Sequence, residues 1–314
     1  MRAAAIQRYG GIDVLRVQDL PTPGPAAGEV LVRVRTAAVN PVDAKMRDGT
    51  LRFIYGRDFP MVVGLDLCGE VVELGADVEG FAKGDMVFGR GTRRPGGACA
   101  EFCAVGVHGI ALVPEGVNLS SVAGIPIAGL TALQGMRDDG RLTKGDHVLI
   151  VGASGGVGTY AVQIAKALGA TVTATCSTRN APLVTELGAD RVIDYSNQPT
   201  WERGVFYDLV FDAVGKASVK EARQHLSGRG AYVTTTPNRQ ALAGFAINRF
   251  VRHRAVFTLV KPSTADLALL GGWEAEGRIR TVVDSRFPLE EIQAAHRRIE
   301  THRTVGKIMI DVAA

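Results

Sequence analysis

A glycine cluster in the middle of the chain carries the clearest chemical signal. Residues 148–158 read VLIVGASGGVG, an apolar run followed by glycines and then by a helical pattern of apolar residues. Glycine permits a tight turn, and a backbone without Cβ can approach a pyrophosphate closely. The first turn of the following helix offers N–H groups and a positive dipole end to phosphates. This pattern predicts that Gly152, Ser154, Gly155, Gly156 and Val157 bind a dinucleotide.

The end of the next strand, predicted over Thr171–Cys176, decides which dinucleotide is preferred. Selectivity for NAD usually needs an acidic residue about 20 residues beyond the glycines. No Asp or Glu lies between Gly158 and Glu186. The hydroxyls of Ser177 and Thr178 and the guanidinium of Arg179 could instead hold a 2′-phosphate through charge-assisted hydrogen bonds. We therefore predict NADPH as the cofactor; the alternative is that Arg179 is an ordinary solvated charge.

Length and composition describe the protein that must carry this site. A chain of 314 residues exceeds the usual size of a domain built on one hydrophobic core, so two domains are expected. The chain is 46% hydrophobic and 22% charged, which is typical of a soluble globular protein. No apolar run approaches the ~20 residues of a membrane-spanning helix, and the first residues lack a signal-peptide core. We expect a cytoplasmic protein without a membrane partner.

Charge and cysteine usage narrow the class of function. The net charge of +4 is scattered apart from a basic cluster at Arg249, Arg252 and Arg254, which is too small to indicate nucleic-acid binding. The four cysteines include no Cys-x2-Cys pair and are expected to be reduced thiols. These features favour an intracellular enzyme that acts on a small molecule.

Apolar periodicity divides the chain into three segments. Residues 1–117 contain short alternating runs between Gly and Pro turns, the pattern of a small β-barrel. Residues 118–260 alternate strands with helices, which predicts an α/β domain with a doubly wound parallel sheet. Residues 261–314 are expected to return to the first domain. The predicted strands of the sheet are Val148–Val151, Thr171–Cys176, Arg191–Asp194, Leu209–Asp212, Ala231–Thr235 and Ala255–Val260.

The topology of such a sheet adds further candidates for cofactor binding. Ligands of doubly wound sheets lie at the carboxyl ends of the strands. This rule groups the glycine turn with Ser177, Tyr195 and Val214 along one edge. We therefore include Tyr195 and Val214 among the candidate cofactor-binding residues.

Eight stretches resemble the medium-chain dehydrogenase/reductase superfamily, and within it the zinc-independent quinone and enone reductases related to zeta-crystallin. The matching stretches are Ala38–Lys45, Gly64–Glu70, Gly84–Val87, Gly129–Ala132, Gly152–Gly158, Leu187–Asp190, Asp212–Gly215 and Val305–Ile308. The resemblance implies a GroES-like β-barrel catalytic domain (1–117 with 261–314), a Rossmann NADPH-binding domain (118–260) and an active site in the cleft between them. It also implies a homodimer formed through the last Rossmann strand.

The chain departs from the zinc-dependent alcohol-dehydrogenase branch of this superfamily. That branch has a zinc-ligating Cys in the segment where this chain has Asn40–Asp43, and a His in the segment where Leu65 stands. Catalytic zinc needs three good protein ligands, and Asp43 and Asp66 alone would be a poor site. We predict no metal.

Reduction of a quinone or an α,β-unsaturated ketone drives negative charge onto a carbonyl oxygen, which needs a hydrogen-bond donor or a cation. Lys45 is a candidate to polarise the carbonyl or to donate a proton, and Asn40 could bond substrate or cofactor. Their alternatives are a surface lysine and an asparagine that satisfies loop backbone. The resemblance further implies that Thr131 lies near the nicotinamide and Tyr195 near the adenine ribose phosphate; the alternative for both is local packing.

These observations favour an NADPH-dependent, zinc-independent reductase of quinones or enones. Three other hypotheses stay open from the sequence: an enoyl-thioester reductase, a weakly catalytic NADPH-binding protein in a sensing or structural role, and a zinc alcohol dehydrogenase.

Overall fold

The computed structural model describes residues 1–93, 96–236 and 253–312. Two compact units make up the chain. The first comprises Met1–Ile127, Pro262–Gly277 and Thr281–Ala314, and the second comprises Ala128–Lys261 and Arg278–Arg280. The first stretch thus ends at Ile127, whereas the sequence-based limit was residue 117. Arg249 and Arg252 of the basic cluster lie outside the described residues.

The first unit begins with short, mainly antiparallel strands in two sheets. They are β1 (Arg2–Ile6), β2 (Leu15–Asp19), β3 (Glu29–Val39), β4 (Met61–Val62), β5 (Asp66–Leu74), β6 (Met86–Arg90), β7 (Phe102–Gly106) and β8 (Ile110–Leu112). In the central strand β3, Val32 and Val34 are buried while Arg33 and Arg35 are exposed. This alternation is that of a strand with one covered face, and it places the core between the sheets.

Three short helices belong to this unit, α1 (Pro41–Arg47), α2 (Arg52–Tyr55) and α3 (Leu119–Val122), and a fourth, α4 (Pro126–Gln134), begins in it and continues into the second unit from Ala128. Helix α1 starts directly after β3. Pro41 occupies its first turn, and the Asp43 carboxylate accepts a 2.7 Å hydrogen bond from the Asn40 backbone N–H. Asn40 is thereby fixed at the junction of strand and helix.

The second unit contains a six-stranded parallel sheet, which confirms the predicted doubly wound α/β fold. Its strands are β9 (His147–Val151), β10 (Thr171–Cys176), β11 (Arg191–Asp194), β12 (Tyr207–Asp212), β13 (Leu226–Thr234) and β14 (Arg254–Phe257). Their spatial order is β11-β10-β9-β12-β13-β14. Helices α5 (Gly156–Ala167), α6 (Ala181–Glu186) and α7 (Val219–Gln224) connect them. Strand β9 is apolar throughout its buried length because a parallel sheet is covered on both faces.

Strand limits differ from the prediction in four strands, the first being β9, which begins one residue earlier, at His147. Strand β12 begins at Tyr207, which pairs with Leu226 across a register shift, so that β13 also begins earlier than expected. Strand β14 ends at Phe257, and Leu259, in the predicted continuation of the strand, is exposed. Pairing of two copies of the chain through this strand stays a prediction.

The last segment adds α8 (Thr264–Ala275), β15 (Val283–Pro288), α9 (Ile292–Glu300) and β16 (Lys307–Asp311). Strand β16 pairs antiparallel with β3, and Ile308 lies opposite Val39. This register brings Lys307 next to Asn40. Within the described ranges, none of the helices combines the length and the apolar character that crossing a bilayer requires.

Candidate active site

The turn after β9 has the geometry that its glycines predict. Gly152 adopts a φ of 81°, which favours glycine. Gly155 caps α5 in extended conformation. At Gly158 a Cβ would lie 2.1 Å from the carbonyl oxygen of Gly152. Gly158 therefore allows the helix to pack directly on the turn.

The space beside Gly155 is open. The nearest atom to a Cβ built there is the Gly152 carbonyl oxygen, 3.6 Å away. Ser154, Gly156 and Val157 are half-buried, as Gly155 is, so this face of the turn is accessible. Because the first turn of a helix leaves N–H groups without intrahelical acceptors, these residues fit a phosphate group at the N-terminus of α5.

Asp212, at the end of β12, shapes the neighbouring loop. Its buried carboxylate accepts hydrogen bonds from the N–H groups of Val214 (3.1 Å) and Gly215 (2.8 Å) and from the hydroxyl of Tyr232 (2.9 Å). Burial, with the negative charge of Asp212, raises the pKa of Tyr232. A Cβ at Gly152 would lie 2.6 Å from the Val214 side chain. The loop after β12 is thus held against the glycine turn, as the topology rule predicts.

The residues after β10 extend the same edge of the sheet. Asn180 donates a 2.9 Å hydrogen bond from Nδ2 to the hydroxyl of Ser154, which ties this segment to the glycine turn. Ser177 is half-buried, while Arg179 and Tyr195 are exposed. The candidate cofactor-binding residues of the second unit therefore lie at the carboxyl ends of β9 to β12, apart from Thr131, which is buried in α4.

A buried polar network occupies the candidate catalytic region of the first unit. The Lys307 ammonium donates to the Asn40 amide oxygen at 2.6 Å and to the Asp66 carboxylate at 3.1 Å. Asn40 Nδ2 donates to the same carboxylate at 2.9 Å, and the Ile127 N–H reaches its other oxygen at 2.9 Å. Asp66 is 0% exposed and Lys307 3%. Both carboxylate oxygens are satisfied, so the network fixes the orientation of the Asn40 amide.

Asp43 borders this network but differs from Asp66. Its Oδ2 accepts from Asn40, whereas within the described residues its buried Oδ1 has no hydrogen-bond partner. Burial, aided by the negative charge of Asp66, raises the pKa of Asp43 to about 7. Lys45, on the same helix, is exposed. The structure therefore groups Asn40 with Asp43, Asp66 and Lys307, and leaves Lys45 on the solvent side of α1.

In the ranges that the structure describes, no group of three or more His, Cys, Asp or Glu residues is arranged to hold a metal ion. Near Asn40 and Asp66, Lys307 supplies a buried positive charge, and Arg90 also interacts electrostatically with Asp66. The cysteines are buried free thiols, and burial raises the pKa of Cys68 and Cys103 to about 12.

Sequence reasoning missed Asp194 and the roles of Asp66, Lys307 and Asp212. Lys307 and Asp212 lie in stretches that carry the family resemblance, yet only the strand pairing brings Lys307 beside Asn40. Asp194 was not predicted because it lies at the end of β11, farther along the chain than the ~20 residues at which the NAD-selective acid is expected. Pairing of β10 with β11 places Asp194 opposite Cys176.

The chain matches two protein-family models and many known proteins. Residues 26–133 match the alcohol dehydrogenase GroES-like domain, and residues 187–310 match a family described as zinc-binding dehydrogenase. The chloroplast envelope quinone oxidoreductase homolog of Arabidopsis thaliana is 34% identical, over 99% of this chain and 98% of that protein. The NADPH-dependent alkenal/one oxidoreductase of the same plant is 32% identical, over 99% of this chain and 79% of that protein.

A solved structure supports the same assignment. The quinone oxidoreductase from Coxiella burnetii superimposes with a TM-score of 0.91 at 31% identity, over 100% of this chain and 99% of that one.

Proposed function

The chain belongs to the quinone oxidoreductase family of the medium-chain dehydrogenase/reductase superfamily, and on this premise we propose that it is an NADPH-dependent reductase of quinones or α,β-unsaturated carbonyl compounds that works without zinc. The observation that carries the proposal is that one chain contains both an open glycine turn after β9 and a buried lysine in the candidate catalytic network. The first suits a dinucleotide, and the second supplies a cation where the zinc-dependent branch has metal ligands.

The residues at the sheet edge support NADPH as the cofactor. The open face at Gly155, the fixed loop at Val214 and the exposed Arg179 are the groups that a phosphorylated dinucleotide needs. One of the relatives is itself described as NADPH-dependent. When bound, NADPH supplies the hydride.

The buried ammonium of Lys307 supports catalysis without zinc. It lies 3.1 Å from the Asp66 carboxylate and 2.6 Å from the Asn40 amide oxygen. A divalent cation bound to either oxygen would meet a fixed positive charge at a distance where repulsion is strong. The aspartate is already neutralised from within the chain, so it needs no metal.

Asn40 is the group that the geometry favours at the reacting oxygen. Addition of hydride to a quinone or enone leaves negative charge on the carbonyl oxygen, and a proton must follow. Nδ2 of Asn40 carries two hydrogens and gives one to Asp66; a substrate oxygen would compete with the Asp43 carboxylate, which also interacts with this side chain, for the other. Lys307 withdraws electron density at the amide oxygen and so makes that N–H a better donor. Lys45, being exposed, stays a candidate for the proton.

Consumption of NADPH by purified protein tests the proposed function. A simple benzoquinone, a short enone and a crotonyl thioester are each offered, and nicotinamide absorbance is followed. Turnover with the quinone or the enone is expected. Activity on the thioester alone would identify an enoyl-thioester reductase instead, and tight NADPH binding without turnover on any acceptor would indicate a binding protein.

Substitution of the two candidate residues separates their roles. Asn40→Ala is expected to lower kcat by about a hundredfold, the usual effect of removing one donor to a developing oxyanion, with little change in NADPH affinity. Lys45→Ala should lower kcat only if the ammonium delivers the proton. An unchanged kcat in Asn40→Ala would remove Asn40 from the reaction.

A further inference from the structure

The half-buried Asp194 lies beside the end of the candidate phosphate-binding segment. Strands β10 and β11 finish side by side, with Cys176 opposite Asp194. The Thr178 hydroxyl, two residues beyond β10, donates to Asp194 Oδ2 at 2.5 Å, and Asn197 Nδ2 donates to the same oxygen at 2.7 Å. The carboxylate thus lies within one hydrogen bond of the segment that contains Ser177 and Arg179.

We propose that Asp194 is a specificity-determining residue that restrains the preference for a 2′-phosphate and so lets the protein accept NADH beside NADPH. This inference rests on the proposed function, because it takes the segment after β10 as the place where the adenine ribose binds. Asp194 itself ends the neighbouring strand β11.

Charge is the first reason. Hydrogen bonds from Thr178 and from the Ser196 backbone keep the pKa of Asp194 below its usual value of 3.8, so the carboxylate is ionised at neutral pH. A 2′-phosphate near Thr178 would carry like charge and would be repelled. The 2′-hydroxyl of NADH carries no charge, and its binding is not penalised in this way. Arg179 attracts the phosphate and Asp194 opposes it.

The direction of the Thr178 hydrogen bond is the second reason. A threonine hydroxyl has one hydrogen to donate, and the short contact with Asp194 takes it. Thr178 Oγ1 also accepts a 3.4 Å hydrogen bond from Asn197 Nδ2, so toward a ligand it has one lone pair left and can only accept. A dianionic phosphate has acceptors to offer and gains nothing from such a partner, whereas a ribose hydroxyl can donate to it. The pair thus favours the unphosphorylated ribose by polarity as well as by charge.

Asp194→Asn removes the charge and keeps the backbone of the turn, while the NH₂ group that replaces Oδ2 can no longer accept from Thr178 and Asn197. Asp194 Oδ1 accepts from the Ser196 N–H at 2.9 Å, and an asparagine oxygen can accept the same bond. The Asn197 and Gln198 N–H groups bond to the Asp194 backbone carbonyl, which the substitution does not alter. The turn after β11 should therefore persist in the variant.

Equilibrium binding of the two nucleotides to the full chain tests the proposal. Dissociation constants of NADPH and NADH are measured by nicotinamide fluorescence for the unsubstituted protein and for Asp194→Asn. The variant is expected to bind NADPH about tenfold more tightly, a change that matches the removal of one nearby like charge at the surface. Its affinity for NADH should change by less than about twofold.

Glu186→Gln is the matched control. Glu186 is an exposed carboxylate at the end of α6 that pairs with Arg280, so the variant has the same change in net charge away from the ends of β10 and β11. It should leave both dissociation constants unchanged. The gain in Asp194→Asn should also shrink as salt is added, because exposed charges are screened.

Three results would overturn the inference: an equal change for both nucleotides, a weaker affinity for NADPH, or the same gain in Glu186→Gln. If the unsubstituted protein binds neither nucleotide, the proposed function itself fails. That outcome is distinct from a protein that binds NADPH with an affinity indifferent to Asp194.

Discussion

Two aspartates, one in each unit, accept hydrogen bonds from two side chains each but differ in their exposure to solvent. Asp66 accepts from Asn40 and Lys307 with no exposed surface, whereas Asp194 accepts from Thr178 and Asn197 at the exposed end of a sheet. In the buried network every charge must be balanced within the chain, because desolvation of an unpaired ion costs several kcal/mol. At the exposed site water screens the charge.

The difference separates two tasks. A closed, balanced network can hold one amide in one orientation but cannot respond to a ligand's charge. A solvent-accessible carboxylate contributes little to folding and remains available to discriminate between ligands. We therefore expect changes at Asp66 and its partners to appear first as lost stability, and changes around Asp194 to appear as altered cofactor preference.

Removal of the buried cation should have the largest effect. Lys307→Met leaves the Asp66 carboxylate buried without its ionic partner, which is expected to lower the free energy of unfolding by about 3–5 kcal/mol. Denaturant unfolding measures the change. The double variant Asp66→Asn/Lys307→Met removes both charges and should recover most of the loss. A single variant as stable as the unsubstituted protein would show that the pair is not energetically coupled.

Removal of the exposed cation should change binding rather than folding. Arg179→Ala is expected to raise the KM for NADPH by about 10–150-fold, the worth of roughly 1.5–3 kcal/mol for a hydrogen bond to a charged group, while the KM for NADH changes little. Steady-state kinetics with both nucleotides measure the ratio. Equal changes would show that Arg179 does not touch the phosphate.

Substitution of Gly158 by alanine tests whether close packing at the glycine turn contributes to stability in the second unit. A Cβ at Gly158 would lie 2.1 Å from the Gly152 carbonyl oxygen, whereas one at Gly272 in α8 would meet nothing within 4 Å. Gly158→Ala is expected to lower the free energy of unfolding by about 1–3 kcal/mol through overpacking and to weaken NADPH binding. Gly272→Ala serves as the control, and thermal unfolding compares them. Equal stability of the two variants would contradict this account of the turn.

Asp43, at the margin of the buried network, should make stability depend on pH. Burial raises its pKa to about 7 in the folded chain, from an ordinary value of 3.8. Between these values the folded state binds more protons than the unfolded state, so this group makes the free energy of unfolding fall as the pH rises toward 7. Asp43→Asn should flatten that part of the pH profile measured by denaturant unfolding.

The exposed Asp48, at the end of the same helix, provides the control for this experiment. Asp48→Asn is expected to leave the profile unchanged. A slope that survives in Asp43→Asn would assign the titration to another group.

Local sequence predicted the parts of the fold that local physics controls. The limits of β10 and β11 agree with the prediction, because both are short segments with β-branched residues and because Gly169 and Ser177 flank β10. The glycine turn was also predictable, since Gly152 and Gly158 are required by backbone geometry alone.

Residues brought together by long-range pairing were not predictable in the same way. Lys307 lies beside Asn40 only because β16 pairs with β3, and Asp194 lies beside Thr178 only because β11 follows β10 in register. The sequence around Asn40 does not predict contact with a lysine that lies far along the chain. Lys45, which is near Asn40 in sequence, was predicted as the catalytic lysine, and it is exposed on α1.

The most direct measurement is the rate of NADPH oxidation by a quinone after exhaustive dialysis against a chelator, with the zinc content of the same sample determined. If Lys307 supplies the positive charge at the Asn40–Asp66 network, turnover should persist unchanged in protein that contains only traces of zinc, and added zinc should not raise it. Loss of activity on dialysis, restored by stoichiometric zinc, would contradict catalysis without a metal.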